Sequence, residues 1–218
     1  MDRAALARAC ATLPIFPLPG VQLMPGALLP LHVFEPRYRE LVADCVRDQG
    51  PLCVPQLVSG GRAGGTGRPA VHPYAVVGVL AAHRPLQDGR SNVLVQPLAR
   101  VRIVEERDVP TPYRAVRAVP LDDLPVDAAA LGAVGARVRA LVLPLLGAAG
   151  APTEGLLRAL RTIPDGRVAE AVAALVLRDE DARQRFLAQD SPLVRAHQVE
   201  EAVLTLAAEG LGGAVAEA

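Results

Sequence analysis

The sequence predicts an α+β protein in which an N-terminal β-rich pseudo-barrel lobe, residues 13–123, packs on a C-terminal helical lobe, residues 126–210. The first half consists of short apolar runs separated by turns rich in Pro and Gly, as in small barrels. The second half is rich in Ala, Leu and Arg, with apolar residues recurring at intervals of three and four, as on one face of a helix. Residues 1–12 and 211–218 are expected to be flexible termini.

The stretch from Leu13 to Phe34 predicts three short strands, because Pro19-Gly20 and Pro25-Gly26 break it into apolar runs. Glu35-Pro36 then marks the start of a helix, since the proline ring pre-sets the helical φ at the first position. One face of that predicted helix is apolar and carries Tyr38, Leu41, Val42 and Cys45.

Asp88-Gly89 predicts a β-hairpin, because this dipeptide favours the tight turn between antiparallel strands. The two strands would be the apolar runs 75–82 and 93–95. Proline cannot donate a hydrogen bond to a sheet, so Pro97 predicts a bend or a sheet edge in the continuation of the second strand.

Three helices are predicted in the second half. The first bends or ends at Pro144, and its apolar face carries Leu131, Val134, Val138, Leu141, Val142 and Leu145. Asp165 is the predicted cap of the second helix. Ser191-Pro192 predicts the start of the last helix, which should end near Gly210.

All 23 basic residues are arginines, so chemistry that needs a lysine is excluded. A Ser-Lys dyad, a phosphate-loop lysine and a Schiff-base lysine each require an amine, and a guanidinium stays charged. The 23 acidic residues balance the arginines, so no net charge attracts nucleic acid or an anionic membrane.

The three cysteines show no metal-ligand spacing and indicate a reducing compartment, so the cytoplasm is the expected location. Charges within the first eight residues argue against a signal peptide. No run of about twenty apolar residues is expected to span a membrane.

No catalytic residue, metal site or cofactor is predicted. The glycine-rich run 60–68 leads into Arg68-Pro69 and a β segment rather than a helix, so a flexible loop is favoured over a nucleotide site. The four histidines lack metal-binding spacing, and His32 is expected to be a hydrogen-bonded structural residue. No serine stands in a nucleophile elbow, and the neighbouring carboxylate pairs are expected to be solvated.

The run from Leu13 to Val42 resembles the opening of the Lon protease N-terminal domain. Two further stretches, from Val71 to Ile103 and from Ile163 to Leu187, are similar to later parts of that family domain, so the resemblance covers residues 13–210. It implies a PUA-like pseudo-barrel joined to a helical lobe, without the ATPase and protease that accompany it in the full-length enzyme. A lysine-free chain of 218 residues is consistent with such a stand-alone module.

The resemblance implies a non-catalytic module that binds unfolded or hydrophobic polypeptide segments, or a protein partner. Proline-rich apolar connections should lie at sheet edges, where apolar surface stays open for a chain to dock. The charged start of the first helix would then form a polar rim. The predicted peptide-binding residues are Leu18, Val21, Met24, Leu28, Glu35, Arg37 and Tyr38.

Two alternatives stay open at this point. Arg100, Arg102 and Arg107 would form a basic row on one strand face, as on RNA-binding pseudo-barrels, although nearby acidic residues and 3% aromatic content disfavour nucleic acid. The apolar helix face between residues 128 and 146 would also suit a homo-oligomer or an adaptor that docks on a full-length protease.

Overall fold

The computed structural model describes residues 1–60, 68–148 and 154–216, with side chains given for all of these except 148, 154 and 210–216. The chain separates into two compact units. We call Met1–Asp122 the barrel unit and Asp123–Ala218 the helical unit. The predicted α+β class is confirmed, with strands in the first unit and helices dominating the second.

In residues 1–60 and 68–122 the barrel unit contains two helices and six strands, and a 3₁₀ turn, Cys10–Thr12, follows the first helix. The elements are α1 Arg3–Ala9, β1 Leu13–Ile15, β2 Leu29–Val33, α2 Pro36–Asp48, β3 Leu52–Cys53, β4 Tyr74–Pro85, β5 Ser91–Arg107 and β6 Arg114–Pro120.

Five of the six strands form a closed ring. The pairing runs β5-β4-β3-β1-β6, and β6 pairs again with β5. All pairings are antiparallel except β1 with β3, which is parallel. β2 lies outside this ring and pairs only with the first part of β5. The ring is the predicted pseudo-barrel, and its interior is filled by small and β-branched side chains, including Ile15, Val77 and Val101.

The predicted hairpin at Asp88-Gly89 is confirmed, and β5 bends near Pro97 as expected. Val77 pairs with Ala99 and Gly78 pairs with Pro97, which leaves Leu98 as an extra residue in β5. Such a bulge bends the strand. It lets the first part of β5 pair with β2 while the last part closes the ring with β6.

The first twelve residues are ordered rather than flexible. Asp2 accepts a hydrogen bond from the Ala5 N–H at 2.7 Å and so caps α1. Cys10 is fully buried in the barrel core, and Leu6 packs against the same core.

Helix α2 begins at Pro36 and buries the four predicted residues Tyr38, Leu41, Val42 and Cys45. Asp44, on the same helix, accepts a 2.6 Å hydrogen bond from the Tyr113 hydroxyl, which links α2 to the residue immediately before β6. The position of α2 relative to the barrel is therefore fixed by packing and by a part-buried polar contact.

The described part of the helical unit contains five helices: α3 Ala128–Ala148, α4 Glu154–Thr162, α5 Asp165–Val176, α6 Glu180–Ala188 and α7 Pro192–Ala216. Pro144 does not end α3, which continues to Ala148. Asp165 is the first residue of α5 rather than its cap, and its carboxylate pairs with Arg139 at 2.6 Å. The Ser191 hydroxyl accepts a hydrogen bond from the Val194 N–H, as expected of a cap, and α7 runs past Gly210.

Helix α3 is long and apolar enough to cross a membrane by length and composition, and the sequence analysis did not single it out for this. The window Ala128–Gly147 has a mean hydropathy of 1.6, with 22% of it buried. Length and composition alone are a weak indication, because core helices of soluble proteins meet the same criterion. Within the helical unit, Arg137 pairs with Glu200 of α7 and Arg139 with Asp165 of α5.

Arg195 of α7 is the centre of the polar contacts in the helical unit. Its side chain is 1% exposed and forms a bidentate pair with Asp123 at 2.8 and 2.9 Å. It also donates to Glu170 at 3.1 Å and to the Gln189 carbonyl at 2.9 Å. Burial alone would lower the pKa of Arg195, but the two carboxylates outweigh burial and the pKa is raised. Removing one partner of such a cluster leaves a buried charge uncompensated and costs about 3–5 kcal/mol.

Gly78→Ala tests the close approach at the β5 bend. A Cβ at Gly78 would lie 2.5 Å from the Gln96 carbonyl oxygen and 2.8 Å from side-chain carbons of Leu23 and Val95. We expect urea denaturation to show a loss of about 1–3 kcal/mol in the free energy of unfolding. Gly50→Ala is the matched control, since a Cβ there meets nothing within 4 Å. Equal stability of the two variants would contradict this account.

Gly135→Ala tests the contact between α3 and the start of α5. A Cβ at Gly135 would overlap the carbonyl oxygen of Asp165, whereas a Cβ at Gly132, one turn earlier, meets open space. We expect Gly135→Ala to lower the thermal midpoint and Gly132→Ala to raise stability by about 1 kcal/mol through helix propensity. A stabilising effect of both substitutions would show that the two helices do not approach this closely.

Candidate functional site

Two strongly exposed apolar side chains of the barrel unit flank β2. Between residues 28 and 34, exposure alternates along the chain. Leu28 is 54% exposed and Phe34 is 59% exposed, whereas Val33 is 1% exposed. We define the outer face of β2 as Leu28, Pro30, His32 and Phe34, the exposed members of this alternation. It is largely apolar, although the strand lies at a sheet edge where polar residues are usual.

Polar groups adjoin this face on the neighbouring strands. His32 and Asn92 are paired across β2 and β5, and the His32 Nδ1 lies 2.7 Å from the Asn92 Oδ1. Asn92 is in turn paired with Arg84 of β4. The rings of His32 and Phe34 are 6.2 Å apart, which places Phe34 on the same side as His32. The predicted hydrogen bond of His32 is confirmed, but it forms on the exposed side of the sheet.

The start of α2 is fixed to the first proline-rich connection. The ring of Tyr38 stacks on Phe16 with centroids 3.9 Å apart, and its hydroxyl donates to the Pro17 carbonyl at 3.3 Å. Burial raises the pKa of Tyr38, so the hydroxyl stays protonated and able to donate. The Arg37 guanidinium lies 4.5 Å from the centre of the Tyr38 ring and pairs with Glu35 at 2.8 Å.

The structure divides the seven predicted binding residues by exposure. Val21 and Leu28 are exposed at 41% and 54%, Arg37 is exposed, and Leu18 and Glu35 are partly buried. Met24 and Tyr38 are buried, at 2% and 4% exposure. Contacts join Tyr38, Arg37 and Glu35 to one another and place them beside Pro17, the residue before Leu18. Their role in binding stays a prediction.

Phe34 is the residue that the sequence analysis missed. It ends an apolar run, and such a run normally indicates a strand buried on both faces. The signal that could have found it is Pro30, because proline within a strand indicates a sheet edge and hence an uncovered side. Alternate residues from Pro30 onward then identify the open face.

The basic row expected for RNA binding does not form. Arg100 is 5% exposed and donates to the Asp122 carbonyl, so it faces inward. Arg107 is paired with Glu105, which Arg117 also contacts. Only Arg102 of the three predicted arginines is exposed without a carboxylate partner among the side chains that the structure describes.

Other candidate sites add little. The predicted loop 60–68 lies almost wholly outside the described residues, between Val58 and Ala70, which are joined by a 2.9 Å backbone hydrogen bond. Among residues 1–60, 68–147 and 155–209, no three His, Cys, Asp or Glu side chains lie together in a way that could hold a metal ion.

The three cysteines are free and buried. Burial is the main cause that raises the pKa of the Cys45 thiol to about 12, with smaller contributions from Asp44 and Asp48. Burial also raises the pKa values of Cys10 and Cys53. Thiols in such surroundings are poor nucleophiles, so these side chains belong to the core and not to a reactive site.

We expect all three thiols to resist an aromatic disulfide reagent at neutral pH and to react once the protein is unfolded in guanidinium. The pKa of Cys45 is higher in the folded state, so its contribution to stability is present below about pH 9 and is lost as pH rises through about 12. Urea denaturation at increasing pH should show this loss. Rapid labelling of the native protein would contradict the described burial.

Comparison with known proteins adds the following. Residues 12–204 match the family model described as the ATP-dependent protease La (LON) substrate-binding domain. The N-terminal domain of Mycobacterium avium complex Lon protease has a similar fold, with a TM-score of 0.67, 12% identity and coverage of 88% of this chain and 97% of that chain. For the Lon N-terminal domain protein from Xanthomonas campestris the TM-score is 0.58, with 23% identity and coverage of 86% and 96%. No curated protein sequence matches the chain significantly.

The two structural neighbours support the fold, and the family model supports the assignment. The matched domain is a non-catalytic part of the protease, and no ATPase or protease domain is evident in these 218 residues. Because the family model spans most of the sequence, the chain belongs to the family of Lon substrate-binding domains.

Proposed function

We propose that this protein binds unfolded or hydrophobic polypeptide segments at the outer face of β2, with Leu18 and Val21 of the first proline-rich connection as further contacts. The observation that supports this most directly is the exposure of Phe34 and Leu28 on an apolar face at the edge of a sheet. Contiguous apolar surface on a soluble domain commonly marks an interaction site. Membership of a substrate-binding family supports a polypeptide as the occupant.

Burial of apolar surface would supply most of the affinity. Fully covering a Leu or Phe side chain contributes about 1.5–3 kcal/mol, and part of that is available here because Leu28 and Phe34 are about half exposed. Several such contacts are needed to offset the cost of immobilising a flexible chain. The affinity expected for any single segment is therefore modest.

The polar residues at the start of α2 would shape the boundary of the surface. Glu35 and Arg37 neutralise each other at 2.8 Å, so they present a solvated rim with little net charge. Met24 and Tyr38 would act indirectly, since their burial fixes the connections that carry Val21 and Leu28. Such an arrangement favours recognition by apolar contact over recognition of a charged motif.

A dedicated protein partner would use the same surface. Binding of unfolded segments and binding of one partner differ in how many polypeptide sequences the surface accepts. Binding without ATP and without cleavage is part of the proposal, as is a reducing compartment such as the cytoplasm. The three free buried thiols support the latter, because disulfides are rare where thiols are kept reduced.

The test is a fluorescence titration with a labelled, permanently unfolded protein. We expect saturable binding that Phe34→Ser and Leu28→Ser each weaken about tenfold, the equivalent of about 1.4 kcal/mol of lost apolar contact. The folded form of the same ligand should bind much more weakly.

Leu204→Ser is the matched control, because Leu204 is 50% exposed on α7 of the helical unit. It removes a similar amount of exposed apolar surface outside the proposed site. Loss of binding in Leu204→Ser with no effect of Phe34→Ser would move the site to the helical unit. Tight binding of an RNA oligomer in place of the unfolded protein would overturn the proposal.

A further inference from the structure

We infer that the bound polypeptide docks as an additional β-strand along the open edge of β2, paired through its backbone. This inference rests on the proposed function and specifies how that function is performed. It follows from the register of β2, from the position of Pro30 and from the side chains on the two faces of the strand.

The register determines which backbone groups of β2 point outward. In an antiparallel pair, opposed residues alternate between pairs that exchange hydrogen bonds and pairs that do not. Pro30 is opposed to Leu94 and has no N–H, so this pair cannot exchange hydrogen bonds. The bonded residues of β2 are therefore Leu29, Leu31 and Val33, and the backbone of Pro30 and His32 faces away from β5.

This outward edge carries unused hydrogen-bonding groups. β2 is the end strand of the sheet order, and among the strands that the structure describes it pairs with β5 alone. Among the described residues, no partner is found for the His32 N–H or for the carbonyl groups of Pro30 and His32. One donor and two acceptors thus lie in a row with the spacing of a strand. The complementary ligand is an extended peptide backbone, since it alone repeats donors and acceptors at this spacing.

The side chains beside this edge define which segments fit. Residues of an added strand that lie opposite His32 would share the outer face with Leu28 and Phe34, which are exposed and apolar. Residues opposite Leu31 would lie on the inner face, next to Leu29 and Leu31, which are partly buried. Both faces of the docked segment would meet apolar surface. The preferred substrate is therefore an extended apolar segment of about five residues without proline at its centre.

Pro30 limits the same edge. It removes the second outward donor, so an added strand gains three hydrogen bonds where four would otherwise form. Proline at an edge is one of the ways in which proteins discourage uncontrolled strand pairing. This proline would keep segment binding weak and reversible and would disfavour pairing between two copies of the chain.

The experiment compares two fluorescent heptapeptides with identical side chains, alternating valine and threonine between terminal lysines. One has a normal backbone, and the other is N-methylated at its three central amides, which blocks donation from either edge. We expect anisotropy titrations of the 218-residue protein to show at least tenfold weaker binding of the methylated peptide. Recognition through side chains alone predicts equal or tighter binding, because the added methyl groups are apolar.

Pro30→Val supplies the complementary test. It restores an outward N–H at the edge, to which a carbonyl group of the normal peptide can bond, so we expect that peptide to bind about threefold to tenfold more tightly. Pro125→Val, at an exposed position in the helical unit, is the control and should leave both affinities unchanged. Circular dichroism confirms that each variant is folded.

The outcomes separate the inference from the proposed function. Equal binding of the two peptides would overturn strand addition and leave the apolar site intact. Binding of an unfolded protein without binding of the normal heptapeptide would also overturn it. If neither ligand binds, both the inference and the proposed function fail. If light scattering shows a dimer that Pro30→Val strengthens, a second copy occupies the edge and the inference is wrong.

Discussion

The barrel unit depends on one strand, β5, which pairs with three others. Its first part pairs with β2 and β4, and its last part pairs with β4 and β6. A straight strand of 17 residues could not serve both, so the bulge at Leu98 is a requirement of the fold. The bulge in turn requires glycine at position 78, because the side chains of Leu23 and Val95 occupy the space that a Cβ would need. The bulge in β5 therefore underlies both the closure of the ring and the position of β2 outside it.

Local signals made much of this fold predictable from sequence. The helix beginning at Pro36, the hairpin at Asp88-Gly89 and the apolar face of α3 each follow from turn chemistry or periodicity within a few residues. Helix α1 was not predicted, because its stability depends on the distant contact of Cys10 with the barrel core. The parallel pairing of β1 with β3 and the closure of the ring are likewise non-local, and no short motif encodes them.

The candidate site was predictable only in part, for a similar reason. The apolar composition of residues 18–28 predicted an open binding surface there. Composition does not show which of these side chains are buried by other elements of the fold. Met24 is buried while Val21 and Leu28, three and four residues away along the chain, are exposed. At β2 the decisive fact is the absence of a strand beyond it, which depends on topology. Stability and solubility alone would not favour an edge strand that is apolar on both faces. Positions where a sequence departs from the rules of folding in this way are commonly functional.

The Arg195 cluster determines where the chain can be divided. Asp123 is the first residue of the helical unit, and its carboxylate provides the bidentate contact to a guanidinium that is 1% exposed. An ion pair thus joins Arg195 of α7 to the first residue of the helical unit, which lies 72 residues earlier in the sequence. A recombination event or engineered fusion that joins another domain here keeps an intact helical unit only if the junction precedes Asp123. The usable junction is therefore bounded at Asp123 by its ion pair with a buried guanidinium, even though Asp122 and Asp123 look interchangeable in the sequence.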